Sequence, residues 1–357
     1  LSPGEQGNLT TGLIPTAAIC GISGTTLGAA ERKLFAEKRP AGFILFARNC
    51  CDPEQVSALI REVRAAVDDP KAPVLIDQEG GRVARLKPPH WQKLPPLRRL
   101  GELAMRDLEA ALDAAWLHAR LIASDLHPLG ITISCSPVLD LGLDGQTDAI
   151  GDRAFSDDPD IVARLGRATI EGYLAGGILP VIKHLPGHGR AMVDSHADLP
   201  SVEAGRRDLA GTDWLPFKAN ATAPLGMTAH ILFQDLDPSA CATQSARIIH
   251  DIIRSEIGFK GALFSDDLSM EALGGSLGER AALARQAGCD LALHCNGDFL
   301  EMTAVLDAAG PLEGEACSRF EDALAKRRKP EPFDPPAGKD RLMGLLGDAE
   351  PAREAAC

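Results

Sequence analysis

Residues 180–184 read PVIKH, an apolar run that closes on a lysine and a histidine. A strand without polar alternation is buried on both faces, as in a parallel sheet covered by helices. The two titratable side chains at its end therefore emerge at one edge of the sheet. The same pattern recurs on both sides of this segment. Earlier runs lie at 17–22 (AAICGI), 42–46 (GFILF), 74–77 (VLID) and 131–138 (ITISCSPV); later ones lie at 225–230 (LGMTAH), 262–267 (ALFSDD) and 291–295 (LALHC). Polar residues gather at or just beyond the run ends: Asp77, Asp140, Lys183, His184, His230, Asp266, Asp267 and Asn296.

Amphipathic stretches at helical period separate the runs, at 52–67, 106–125, 160–175, 245–257 and 278–287. The first opens DPEQ, which predicts Asp52 as N-cap and Pro53 at the first helical position. Eight strands alternating with helices predict an α/β fold, a single (β/α)₈ barrel of the TIM type; a doubly wound open sheet is the rival. No GxGxxG or GxxxxGK[ST] loop follows the first strand, and polar strand ends converge naturally only in a barrel, so the barrel is preferred. One catalytic domain is expected over 1–357, with a Pro-rich C-terminal extension at about 329–357. Within it, 329–336 (KPEPFDPP) links a last surface helix near 339–346.

Composition narrows the function. The net charge is −13 and no Lys/Arg run forms a patch, which argues against a nucleic-acid partner. One Tyr and three Trp are few for a long-polysaccharide platform; a small sugar held by charged groups fits better. Nine cysteines, an odd number without metal-type spacing, include Cys20, Cys135 and Cys295 inside apolar runs, as free thiols in a reducing compartment would be. The chain starts LSPGEQG with no basic, then apolar, leader, and no run of 18 apolar residues spans a membrane. The expectation is a cytoplasmic globular protein, acting as a monomer.

Four strings carry chemistry. KHLPGHGRAMVDSH at 183–196 sets Lys183 and His184 at a strand end, then His188, then Asp194 and His196 two apart on a loop. A carboxylate that near holds an imidazole in one tautomer and favours its charged form, making a general acid that later serves as base. FSDDLSM at 264–270 offers Asp266 as a carboxylate able to attack an anomeric carbon, with Asp267 capping or supporting. IDQEGGRVARL at 76–86 places Asp77 at a strand end, followed by Arg82 and Arg85; GDRAF at 151–155 offers Arg153.

Together these strings resemble glycoside hydrolase family 3, and within it the single-domain bacterial β-N-acetylglucosaminidases. The marks are IDQEGGRV, SPVLDL, IGDRAFSDDP, KHLPGHG with DSH, MTAH and FSDDLSM, spanning about residues 22–296. The resemblance implies Asp266 as nucleophile and His196, paired with Asp194, as acid/base of a retaining mechanism. It further implies Asp77, Arg85, Arg153, Lys183 and His184 as sugar-binding residues, and a loop-shaping role for His188. The implied substrate is a muropeptide disaccharide, N-acetylglucosamine on 1,6-anhydro-N-acetylmuramic acid, in cytoplasmic peptidoglycan recycling. One departure is Arg190-Ala191-Met192 after PGHG, where small or acidic residues are usual. Phosphorolysis, and a broader β-hexosaminidase or β-glucosidase, are rivals on the same scaffold. A metal-dependent barrel would use His184, His188, His196 and Asp266, but no HxH or HExxH occurs, so neither metal nor cofactor is expected.

Overall fold

In the computed structural model, which describes residues 14–143, 145, 148–191 and 199–347, eight parallel strands close on themselves. They are β1 (Thr16–Cys20), β2 (Pro40–Leu45), β3 (Val74–Ile76), β4 (Ile133–Ser134), β5 (Leu179–Leu185), β6 (Leu225–Thr228), β7 (Ala262–Asp267) and β8 (Leu291–His294). Each pairs with its sequence neighbours, and β1 joins last to first: Cys20 stands opposite Phe43 on β2 and His294 on β8. The rival open sheet is thereby excluded. Every residue of β2 and β5 is buried, which is why these runs show no alternation.

Helices cover the outside. Asp52 accepts from the Gln55 N–H and Pro53 opens the helix Pro53–Ala66, as the DPEQ signal predicts. The stretch expected at 106–125 is the helix Leu108–Leu129, preceded by a separate helix, Leu97–Ala104. Asp107 separates them by capping the second, and that helix runs on until Gly130, at φ 90°, stops it. Strand β4 is shorter than the run 131–138, with pairing resumed only by a bridge from Val138 to Lys183. The segment Ile248–Glu256 is wound as a π-helix, for which we have no physical account.

The tail does more than link. Arg120 donates to the Glu331 carbonyl at 2.9 Å and stacks on Phe333, and Glu331 N–H donates to Ala175 O. The last helix, Pro335–Leu346, starts four residues before the expected position because Asp334 caps it and Pro335 can open it. It packs on the helix Leu108–Leu129. Among the described residues no helix is long and apolar enough to cross a membrane.

Candidate active site

The C-terminal ends of the strands surround a cavity of about 440 Å³. Six residues singled out from the sequence, Asp77, Arg85, Arg153, Lys183, His184 and Asp266, all line it. Apolar groups line it as well: Ile44, Phe46, Met227, Met270, Leu293 and Cys295. Charged and apolar groups in one cavity suit a sugar ring, which has hydroxyl edges and a C–H face.

The charged wall is one alternating chain of ions. Arg85 Nη2 donates to Asp77 Oδ2 at 2.9 Å, and Lys183 Nζ lies 3.1 Å from Asp77 Oδ1. The same Nζ lies 2.6 Å from Glu79 Oε1, and Glu79 receives a two-pronged bond from Arg153, Nε and Nη2 each at 2.9 Å. Lys183 and Glu79 side chains are only 3% and 1% exposed, so each charge persists only because it is paired: Lys183 with Asp77 and Glu79, Glu79 with Lys183 and Arg153. Burial pushes the Asp77 and Glu79 carboxyls up, but the adjacent cations outweigh it, holding Asp77 far below its usual range and Glu79 at about 2. Burial likewise opposes the Lys183 charge, and Asp77 and Glu79 overcome it. The wall therefore stays ionised at neutral pH, with three cations (Arg85, Lys183, Arg153) against two carboxylates.

Local backbone explains the placement. Asp77 and Glu79 are two apart on extended chain, hence on one side. Gly80 at φ 94° and Gly81 at φ 56° then turn the chain; a Cβ on Gly80 would sit 2.5 Å from Pro95 O. Gln78 fixes the returning segment, its Oε1 accepting from the N–H groups of Arg85 and Leu86. Arg82 reaches across to Asp152 and to the carbonyls of Ala149 and Ile150, tying down the loop that delivers Arg153.

A second cluster surrounds Asp266 at the end of β7. His184 Nε2 stands 4.0 Å from Asp266 Oδ2, while Nδ1 of the same ring is 2.6 Å from Asp140 Oδ2. The Lys183–His184 peptide is cis, and both side chains line the cavity. Burial raises the Asp266 carboxyl, but His184, His230, the Asp267 N–H and Lys183 together hold it below the ordinary value. An ionised, cavity-facing carboxylate without a cation clamped on it can act as a nucleophile.

Other expected positions fall differently. Asp267 starts no helix: it accepts from Ser269 N and Oγ and from Cys295 N, shaping a turn and pinning the end of β8, while the next helix is capped by Ser276. His230 is buried behind the site, bonded to Thr243 and Asp267 O, and Asn296 turns away to Glu301. His188 shapes its loop through its N–H, which donates to Asp140, but its ring also lines the cavity against His184. The unusual Arg190 is anchored on Asp213 at 2.8 Å and on Thr212. Asp194 and His196 lie outside the described residues. Glu79 was not singled out, although the two-residue spacing from Asp77 signals it; Asp140 was noted only as polar. Among the described residues no three His, Cys, Asp or Glu side chains are grouped as metal ligands.

Comparisons with known proteins agree with the architecture. Residues 20–326 match the glycosyl hydrolase family 3 N-terminal domain. A β-hexosaminidase of Stenotrophomonas maltophilia is 38% identical over 287 residues, 79% of this chain and 84% of that protein. Native NagZ from Neisseria gonorrhoeae superposes with a TM-score of 0.77 at 30% identity, covering 95% of this chain and 99% of that one. The same protein has been solved in complex with N-trifluoroacetyl-D-glucosamine, with the same TM-score, identity and coverage.

Proposed function

The chain belongs to glycosyl hydrolase family 3 and is a β-hexosaminidase; on that footing we propose that it is a retaining exo-β-N-acetylglucosaminidase working through a covalent glycosyl-enzyme on Asp266. The observation that carries this reading is the Asp266 carboxylate, kept ionised at the cavity wall beside His184 and, among the described residues, forming no ion pair with a lysine or arginine. The terminal sugar sits with its hydroxyls on the Asp77, Arg85, Lys183 and Arg153 wall. Charged donors and acceptors in fixed positions there bind hydroxyls more strongly than neutral ones. Asp266 attacks the anomeric carbon as the bond to the leaving oxygen breaks. Water then attacks the glycosyl ester, so configuration is retained.

His196, with Asp194 beside it in sequence, is assigned as the acid that protonates the leaving oxygen and the base that activates water. This assignment is supported by family resemblance and by the dyad's chemistry. The same resemblance supports the finer reading of substrate and setting: N-acetylglucosamine linked to 1,6-anhydro-N-acetylmuramic acid, processed by a monomer in cytoplasmic cell-wall recycling.

The test is hydrolysis of a chromogenic N-acetyl-β-glucosaminide and of the anhydro-disaccharide by wild type, Asp266→Ala and His196→Ala. The expected result is turnover abolished by the first change and sharply reduced by the second, with no dependence on added phosphate. Full activity of Asp266→Ala would overturn the assignment. A requirement for phosphate would replace hydrolysis by phosphorolysis.

A further inference from the structure

We propose that Asp140 is a positioning residue for the nucleophile: it fixes the His184 ring so that Nε2, and any charge the ring carries, faces Asp266. The proposal rests on the reading of Asp266 as nucleophile. Asp140 lies outside the cavity, 1% exposed, in the segment between β4 and the helix Pro159–Ala175. Its Oδ2 meets His184 Nδ1 at 2.6 Å, and its Oδ1 accepts from His188 N at 2.6 Å; His184 N donates to both oxygens at 3.2 Å.

An ionised carboxylate only accepts, so the Nδ1 of His184 carries the proton and the tautomer is decided. The ring cannot turn over without breaking that bond. Its Nε2 is thereby aimed at Asp266 Oδ2, 4.0 Å away. The ring thus stands between two carboxylates, bonded to Asp140 and facing Asp266. Asp140 itself stays ionised because His184 and the His188 N–H outweigh its burial.

Several other groups act on Asp266, and they set the background. Lys183 reaches it from β5 and His230 from beyond β6, the Asp267 N–H bonds to it directly, and Cys295 and Asp77 lie nearby from β8 and β3. None of these orients an imidazole onto it. Removing the Asp140 carboxylate frees the His184 ring to turn away from Asp266 and lets the Asp266 carboxyl drift back toward its ordinary range.

The experiment is the pH dependence of kcat/KM for 2,4-dinitrophenyl N-acetyl-β-D-glucosaminide, whose aglycone departs as a stable anion without a proton from an acid. In the glycosylation step one Asp266–carbon bond forms and one carbon–oxygen bond breaks, so the acid limb reports the nucleophile in the free enzyme. Asp140→Asn should move that limb up by about one pH unit, a roughly tenfold loss on the acid side, and Asp140→Glu should restore part of the shift. A uniform fall at every pH, with the limb unmoved, would mean a merely structural role and overturn the proposal. Where Asp140→Asn fails a circular-dichroism check of folding, His184→Gln makes the same test: its limb should move likewise, and an unmoved limb overturns the idea. Asp266→Ala with added azide separates the two readings. Inactivity relieved by azide, with release of the α-glycosyl azide, sustains the nucleophile whatever Asp140 does; wild-type rates in Asp266→Ala would sink both.

Discussion

Glu79 grips Arg153 with both carboxylate oxygens, Oε2 on Nε and Oε1 on Nη2, each at 2.9 Å. This geometry matches the planar fork of a guanidinium, which a single-point lysine contact cannot do. Arg153 donates its remaining Nη1 to Ala149 O, so the side chain is fixed from two sides before any sugar arrives. Pre-set donors lose little entropy on binding, which is how a few charged groups can select one small ring.

Glu79→Gln should therefore weaken sugar binding without touching the reacting atoms. The amide keeps the shape but loses one acceptor for Arg153 and the charge that faces Lys183. KM should rise roughly tenfold, about the worth of one charge-assisted hydrogen bond, with kcat falling less. Steady-state kinetics on a chromogenic N-acetyl-β-glucosaminide measures this; an unchanged KM would show that Arg153 is held by its carbonyl contact alone.

The same pair makes stability depend on pH in a defined window. Glu79 is held at about 2 in the folded chain, against roughly 4.3 when unfolded. A carboxyl depressed on folding contributes stability that is complete above the unfolded value and disappears as pH falls through the folded one. Wild type should thus lose stability between about pH 4.3 and 2 faster than Glu79→Gln does. Urea midpoints at pH 7, 4 and 2.5 check it: the gap between the two proteins should narrow on acidification, and a constant gap would refute the linkage.

Much of this architecture was legible in the residues. Strand ends such as Asp77, Lys183, His184 and Asp266 declared themselves because charge at the end of an apolar run has few structural uses. Glu79 and Asp140 were not assigned, for different reasons. Glu79 sits before Gly80-Gly81, where an acid reads as an ordinary turn residue, and its partner Arg153 is far away in sequence. Asp140 works from behind His184, and only the pairing of β4 with β5 brings the segment after β4 against the end of β5. Asp267 was half right: a cap signal was present, but the group capped is a turn and the end of β8. Helix bounds failed where Asp107 and Asp334, both caps, begin helices earlier or later than apolar periodicity alone suggests.

The opposite end of the barrel holds a buried acid with a structural task. Asp290 precedes β8; its Oδ2 accepts from Arg254 at 2.7 Å and from Leu263 N at 2.8 Å, and its Oδ1 accepts from Arg319 Nε at 3.0 Å. One carboxylate thus joins β7, the π-helix and the helix Gly314–Ala325. Asp290→Ala would take from Arg254 its carboxylate partner and leave Arg319 only the exposed Glu315, at a cost of about 3–5 kcal/mol. Denaturant unfolding should show that loss while kcat at 25 °C stays within about twofold, since the site lies at the other strand ends. A large drop in kcat with stability intact would contradict this division.

The C-terminal helix offers the last test. Phe333 packs against the Arg120 guanidinium, 4.5 Å from its ring centre, and against the Trp116 ring at 6.2 Å, and it covers Gly338, where a Cβ would come within 2.5 Å of the ring. The ring therefore clamps the start of the helix Pro335–Leu346 onto the helix Leu108–Leu129. Phe333→Ala removes the clamp and should cost about 3 kcal/mol locally. Because the segment packs on helices outside the barrel, the loss should appear as local opening. Amide exchange of residues 335–346 should accelerate by a hundredfold or so, with exchange in β5 unchanged and kcat preserved. Faster exchange in β5 as well would mean that the tail is part of the barrel's cooperative unit and not an appendage fastened to it.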